Sequence, residues 1–198
     1  PYTTLFRSKQ RNRKVSYPLS NNICIPLMDI FENRRDTNKK MQEKIIMEIL
    51  VCIKQVPDDS VEISLDEATG KPALDGVTPV VNAFDTYAEE MAVRLKEAVA
   101  ESEVTVVSIG DDSVKNSLKN CLAVGADHAY LVKYDEAEKL DGAAIAKVLA
   151  KAKADIEAAE GKTFDLIFCG KESTDYAASQ TGLLLAAELN VPAVANVV

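Results

Sequence analysis

The chain has no tryptophan, one histidine and four cysteines among its 198 residues. Aromatic side chains make up 6%, which leaves little for a stacking platform on single-stranded nucleic acid. Basic charge is not in excess: 23 Lys+Arg stand against 31 Asp+Glu, a formal net charge of −8. That balance argues against an electrostatic nucleic-acid binder. No uncharged apolar run approaches the roughly 18–20 residues that a bilayer span requires. The cysteines (Cys24, Cys52, Cys121 and Cys169) form no C-x-x-C pair, and His128 stands alone. The clustered soft ligands of a zinc site are therefore missing. The dinucleotide fingerprint G-x-G-x-x-G and the P-loop G-x-x-x-x-G-K-[ST] are missing too. No Ser/His/Asp or Cys/His constellation can be assembled around His128.

What is present divides into two segments. Residues 1–46 hold 10 Lys+Arg and 4 Asp+Glu, a net of +6, whereas 47–198 hold 13 and 27, a net of −14. The first segment has no sustained hydrophobic period, and Pro18 and Pro26 interrupt it. It lacks the apolar core and small-residue cleavage site of a signal peptide. Asp29, Glu32 and Asp36 speak against a mitochondrial leader. Met47 stands directly before a clean strand, so translation is expected to begin there, with 1–46 a non-native or disordered leader. The segment 47–198 is expected to fold without it. Cys52, Cys121 and Cys169 sit in apolar runs, as buried reduced cysteines do, and a reducing cytoplasm is the expected compartment.

From Met47 onward, strand and helix patterns alternate. Glu48–Ile53 is a continuous apolar strand of the kind buried on both faces. Residues 57–81 read as a hairpin-like excursion. A helix follows over Phe84–Val99, capped by Asn82 or Asp85. Strands are expected at Val104–Ile109, Ala129–Val132 and Asp165–Cys169. Helices are expected at Ser113–Val124, Leu140–Ala159 and Gln180–Leu189, and a further strand begins near Val191–Val194. Short strands separated by helices give a doubly wound parallel α/β sheet. Ligands of such sheets sit at the carboxyl ends of the strands, where strand order reverses. The chain ends at Val198 as a strand begins, and the C-terminus is read as truncated.

The richest segment is GKESTDYAASQTG, Gly170–Gly182, between a buried strand and a helix. Ser173, Thr174, Asp175, Ser179, Gln180 and Thr181 there supply hydroxyls and backbone N–H groups, the makings of a phosphate site at a helix N-terminus. The same residue types also suit plain helix capping by Asp175 or Ser179. Lys54, at the end of the first strand, either steers an anion or is a solvated lysine. Glu89–Glu90 and Glu136/Glu138 read as solvated faces. His128 reads as a surface or strand-start residue.

Taken in order, ILVCIKQVPD (49–58), VNAFDTYAEEMAVRLKE (81–97), VTVVSIG (104–110), LAVGADHAYLV (122–132) and DLIFCGKESTDYAASQTG (165–182) resemble the β-subunit of electron-transfer flavoprotein. The resemblance covers 47–198. It implies an adenine-nucleotide α-hydrolase-like, Rossmann-like fold and an electron carrier subunit without bond-making chemistry of its own. It implies a heterodimer with an α-subunit that carries the redox-active FAD, and a nucleotide in the β-subunit: AMP, or a second FAD in electron-bifurcating members. Electrons would pass from an acyl-CoA or other dehydrogenase to a quinone-linked or other acceptor. Carried over, the nucleotide contacts are Cys52, the run Asn82, Ala83, Phe84 and Asp85, then Ile109, and the loop from Ser173 to Thr181. The chain departs from the family pattern at Ala83, where a proline is usual, at Tyr176, and at Ala177–Ala178. A nucleotide-hydrolysing enzyme on the same fold would want a Gly/Ser-rich loop after the first strand, where this chain has KQVPDD. A stand-alone ATP-binding module would want glycine-spaced phosphate contacts late in the chain.

Overall fold

The computed structural model describes residues 3–7, 47–99 and 101–197. Their eight strands are β1 (Thr3–Arg7), β2 (Glu48–Cys52), β3 (Gln55–Pro57), β4 (Pro79–Val81), β5 (Glu103–Gly110), β6 (His128–Lys133), β7 (Leu166–Gly170) and β8 (Ala193–Val197). The four helices are α1 (Ala83–Ala98), α2 (Val114–Val124), α3 (Gly142–Glu160) and α4 (Thr181–Glu188). Six strands form one sheet in the order β6-β5-β2-β7-β1-β8, and β3 pairs with β4 separately.

The β2 sequence explains its central place. Ile49 and Val51, followed by Ile53 just beyond the strand, face α1 and α2. Leu50 and Cys52 point the other way, into a layer built from Ala146, Leu149 and Ile156 of α3 and Leu185 of α4. A strand with four successive buried apolar residues, Ile49 to Cys52, is of the kind covered by helices on both faces. β2, β5, β6 and β7 run parallel. The chain leaves β2 for β5 and β6 on one side, then returns through α3 to β7 on the other. Strand order therefore reverses between β2 and β7, and their carboxyl ends open the crevice where such sheets take ligands.

The helices stop where their sequences say they should. The Asp141 side chain caps α3 by accepting from the Ala144 N–H at 2.8 Å. Gly161 closes α3 in the left-handed conformation, φ 66°, which costs glycine nothing. The excursion at 57–81 is a hairpin only at its base, where β3 and β4 pair, with one further bridge between Leu65 and Pro72.

One expectation is corrected. Residues 1–46 were set apart from the fold, yet Thr3–Arg7 lie inside the sheet, antiparallel to both β7 and β8. Thr3 and Thr4 are buried. The physical reason is that β7 and β8 would otherwise each expose an unpaired edge, and a short β-branched and apolar segment satisfies both ladders at once. The sheet is accordingly mixed at this side rather than wholly parallel. Residues 1–2 and 8–46, with Cys24, lie outside the described residues.

A chain shortened to 47–198 should still unfold cooperatively, but at a lower midpoint than the full chain. The expected fall is at least about 2–4 °C, the shift that roughly 1 kcal/mol produces at this size. Thermal unfolding of the two chains checks it; equal midpoints would remove β1 from the fold, and loss of cooperativity would remove the independent 47–198 unit.

Candidate functional site

The turn from β4 into α1 brings Asn82 and Asp85 over the β2/β7 crevice. Both are buried. Asn82 occupies the N-cap position of α1 but makes no side-chain cap bond. Its amide reaches across the crevice instead: Nδ2 donates to the Glu172 carbonyl at 2.8 Å, and the Thr174 N–H donates to Oδ1 at 3.1 Å. The side chain thus pairs with the β7–α4 loop as a peptide group would. The capping role expected of Asn82 gives way because two loop backbone groups, distant in sequence, compete for the same amide.

Asp85 bridges the two strands themselves. The Lys54 N–H, beyond β2, donates to Oδ2 at 2.8 Å, and the Gly170 N–H, at the end of β7, donates to Oδ1 at 3.0 Å. Burial pushes this carboxyl up to about 7, against the pull of those N–H donors. The fit demands glycine at 170. A Cβ there would lie 2.2 Å from Asp85 Oδ1 and 2.8 Å from the Phe84 carbonyl carbon.

One turn further along α1, Glu89 is also buried, 3% exposed. It was read as part of a solvated face, and this is corrected. Position 89 shares the inward stripe of Asp85, Ala88 and Ala92, a spacing present in the sequence but masked by the adjacent Glu90. Burial raises the Glu89 carboxyl, and raises the thiol of neighbouring Cys121 with it.

Cys52 ends β2 directly opposite Cys169 of β7, and both are buried free thiols. The hydrogen bond with the neighbouring Cys52 thiol, and then burial, hold the Cys169 thiol well above the usual range. Ile109, on β5, packs half-buried on the α3 side. Ala83 is exposed on the first turn of α1, and Phe84 is half-buried beside Gly170. Cys52, Asn82, Phe84 and Asp85 therefore gather at the ends of β2 and β7.

The loop residues behave differently from simple caps. Asp175 pairs with Lys54 Nζ at 2.5 Å, and that ammonium also lies 4.6 Å from the centre of the Tyr176 ring. Ser179 donates from its hydroxyl to the Glu172 carboxylate. Neither caps α4; Gln180 holds the N-cap position without a side-chain bond, and Thr181 opens the helix. Thr174 and residues 175–180 are exposed, Ser173 half-buried. Ala177 and Ser179 take left-handed φ values of 48° and 51°. Lys54, Gly170, Glu172 and Tyr176 are thus additions to the set of site residues. Lys54 carried a signal in the sequence as a cation at a strand end, and Gly170, Glu172 and Tyr176 lie in the polar segment singled out there. His128 opens β6 half-buried, 3.3 Å from Glu103 on the side of the sheet away from β7. Among the described residues, no group of three or more His, Cys, Asp or Glu is placed to hold a metal ion, and no helix is long and apolar enough to cross a membrane.

This arrangement defines a doubly wound α/β domain with a polar crevice at its topological switch point, the location where nucleotides bind such sheets. Residues 73–198 match the electron transfer flavoprotein domain family. The chain is 40% identical over 147 residues to an electron transfer flavoprotein subunit beta of Megasphaera elsdenii, covering 74% of this chain and 54% of that protein. It is 38% identical over 151 residues to the subunit beta of Thermoanaerobacterium thermosaccharolyticum, covering 76% and 55%. It is 36% identical over 151 residues to the caffeyl-CoA reductase-Etf complex subunit CarD of Acetobacterium woodii, covering 76% and 55%. The chain belongs to the electron-transfer flavoprotein β-subunit family, and it spans about half the length of the curated relatives it matches.

Two outcomes follow from the Asp85 bridge. Its raised carboxyl makes the folded state bind a proton that the unfolded chain releases near pH 3.8. Stability from this group is full below that pH and is lost as pH rises through about 7, with a slope of up to about 1.4 kcal/mol per pH unit. Asp85→Asn should flatten that slope in denaturant titrations at pH 5 and pH 8; an unchanged slope would assign the dependence elsewhere. Gly170→Ala should destabilise by about 1–3 kcal/mol through overpacking against Asp85, read as a lowered denaturation midpoint.

Proposed function

We propose that this chain is the nucleotide-binding part of an electron-transfer flavoprotein β-subunit, holding an adenine nucleotide as AMP or as the AMP half of a second FAD. The observation that carries the reading is the crevice at the ends of β2 and β7, where Asn82 and Asp85 tie the strand ends to the polar loop 171–180. The donor set fits a phosphate-bearing ligand. It offers the Lys54 ammonium, the hydroxyls of Ser173, Thr174, Ser179 and Thr181, and an α4 N-terminus with no side-chain cap. Cys52 and Ile109 supply apolar wall on the α3 side. The tight approach of Gly170 to Asp85 and Phe84 sets the loop's root close against α1.

On this reading the chain performs no turnover of its own. Its role is to bind and orient, as one half of a heterodimer whose α-subunit holds FAD. When bound, the flavin would supply reversible one- and two-electron transfer. The full-length protein would then take electrons from an acyl-CoA or other dehydrogenase and deliver them to a quinone-linked or other acceptor, in the cytoplasm.

Replacing Ser179 and Thr181 together by alanine should weaken AMP binding more than tenfold, since each hydrogen bond to a charged group is worth roughly 1.5–3 kcal/mol. Calorimetric titration, with a thermal unfolding control, checks it. Unchanged affinity in a folded variant would reject the loop as the phosphate site. Co-expression with a partner α-subunit should give a complex with flavin absorbance on size exclusion. Hydrolysis of the nucleotide by the chain alone at ordinary enzyme rates would show it to be an enzyme instead.

A further inference from the structure

The proposed nucleotide site is acidic where its ligand would be anionic. Asp85 lies buried at its floor, and Glu172 and Asp175 stand in its loop. Lys54 is fixed beside them, because its own backbone N–H is held by Asp85. Yet the Lys54 ammonium is engaged with the Asp175 carboxylate at 2.5 Å and covered on another side by the Tyr176 ring at 4.6 Å. Asp175 comes from 121 positions away in sequence, with Tyr176 next to it. They reach Lys54 because Asn82 pins the loop's root at Glu172 and Thr174.

From this geometry we infer that Asp175 is an internal stand-in for the ligand's phosphate. It occupies Lys54 and holds loop 171–180 shut over the end of β2, and the ligand must displace it to bind. The inference rests on the nucleotide reading above and adds its regulation. A carboxylate and a phosphate compete for the same ammonium, and both cannot be neutralised by one cation. The clasp is partly solvated, the Lys54 and Asp175 side chains being 42% and 22% exposed, so its strength is modest and exchange with an incoming anion is feasible. Tyr176, next to Asp175 on the same outer loop, adds a cation–π contact to the closed clasp. The loop's backbone anchor at Asn82 does not involve Asp175, so release of the carboxylate moves the outer loop and leaves its root in position.

The test is calorimetric titration of AMP, the moiety that AMP and FAD share, into the full chain and three variants. Asp175→Asn should bind AMP about fivefold tighter, the size of one exposed ion pair. Lys54→Met should bind more weakly than the parent. The double variant should bind no tighter than Lys54→Met, because without the ammonium Asp175 has nothing to withhold. Hydrogen exchange of amides 173–180 should quicken in Asp175→Asn without ligand. Asp175→Ala replaces Asp175→Asn if thermal unfolding shows that variant misfolded. AMP that binds the parent chain but no tighter to Asp175→Asn overturns the clasp while leaving the nucleotide reading intact. AMP that binds none of the variants nor the parent overturns the nucleotide reading, and the clasp falls with it.

Discussion

Much of this structure depends on one carboxylate. Asp85 accepts from the backbone at the end of β2 and from the backbone at the end of β7. Those strand ends lie side by side at the point where strand order reverses, and each would otherwise present a buried N–H without a partner. The carboxylate satisfies both and sets α1 against the sheet at a fixed height. Glycine at 170 follows from that height, since any side chain there would collide with Asp85. The position of Lys54, and so of its ammonium, follows as well.

The same constraint makes the crevice costly to ionise. Asp85 and Glu89 are both buried on one face of α1, and burial raises both. Nearby, Cys121, Cys52 and Cys169 fill the remaining space as small apolar groups. The floor of the crevice therefore favours neutral forms, while charge is confined to its rim at Lys54, Glu172 and Asp175. Division of this kind suits a site that binds and orients a ligand by its polar edge.

Family membership and site geometry speak to different questions. Identities of 38–40% to electron transfer flavoprotein subunits beta, and of 36% to a caffeyl-CoA reductase-Etf complex subunit, establish what the chain is related to. The arrangement of Asn82, Asp85 and loop 171–180 supports how a nucleotide would be held. Because the chain spans about half of those relatives, the electron-transfer partners belong to the proposal and not to the comparison.

The sequence by itself determined the alternation of strands and helices, their extents to within a residue or two, and the crevice that such an order creates. These are local or periodic properties: apolar runs of five or six residues, helical stripes, and stops such as Gly125 and Gly161. It also marked 170–182 as polar beyond the needs of a turn. Only the tertiary structure decided which partners those polar groups take. Asn82 leaves its cap for Glu172 and Thr174, Asp175 finds Lys54, and Glu89 turns inward while Glu90 stays in solvent. The place of Thr3–Arg7 between β7 and β8 was equally invisible in the chain. Each of these joins or buries groups through contacts between segments far apart in sequence. No local period records such contacts, because they arise only once β2 and β7 lie side by side.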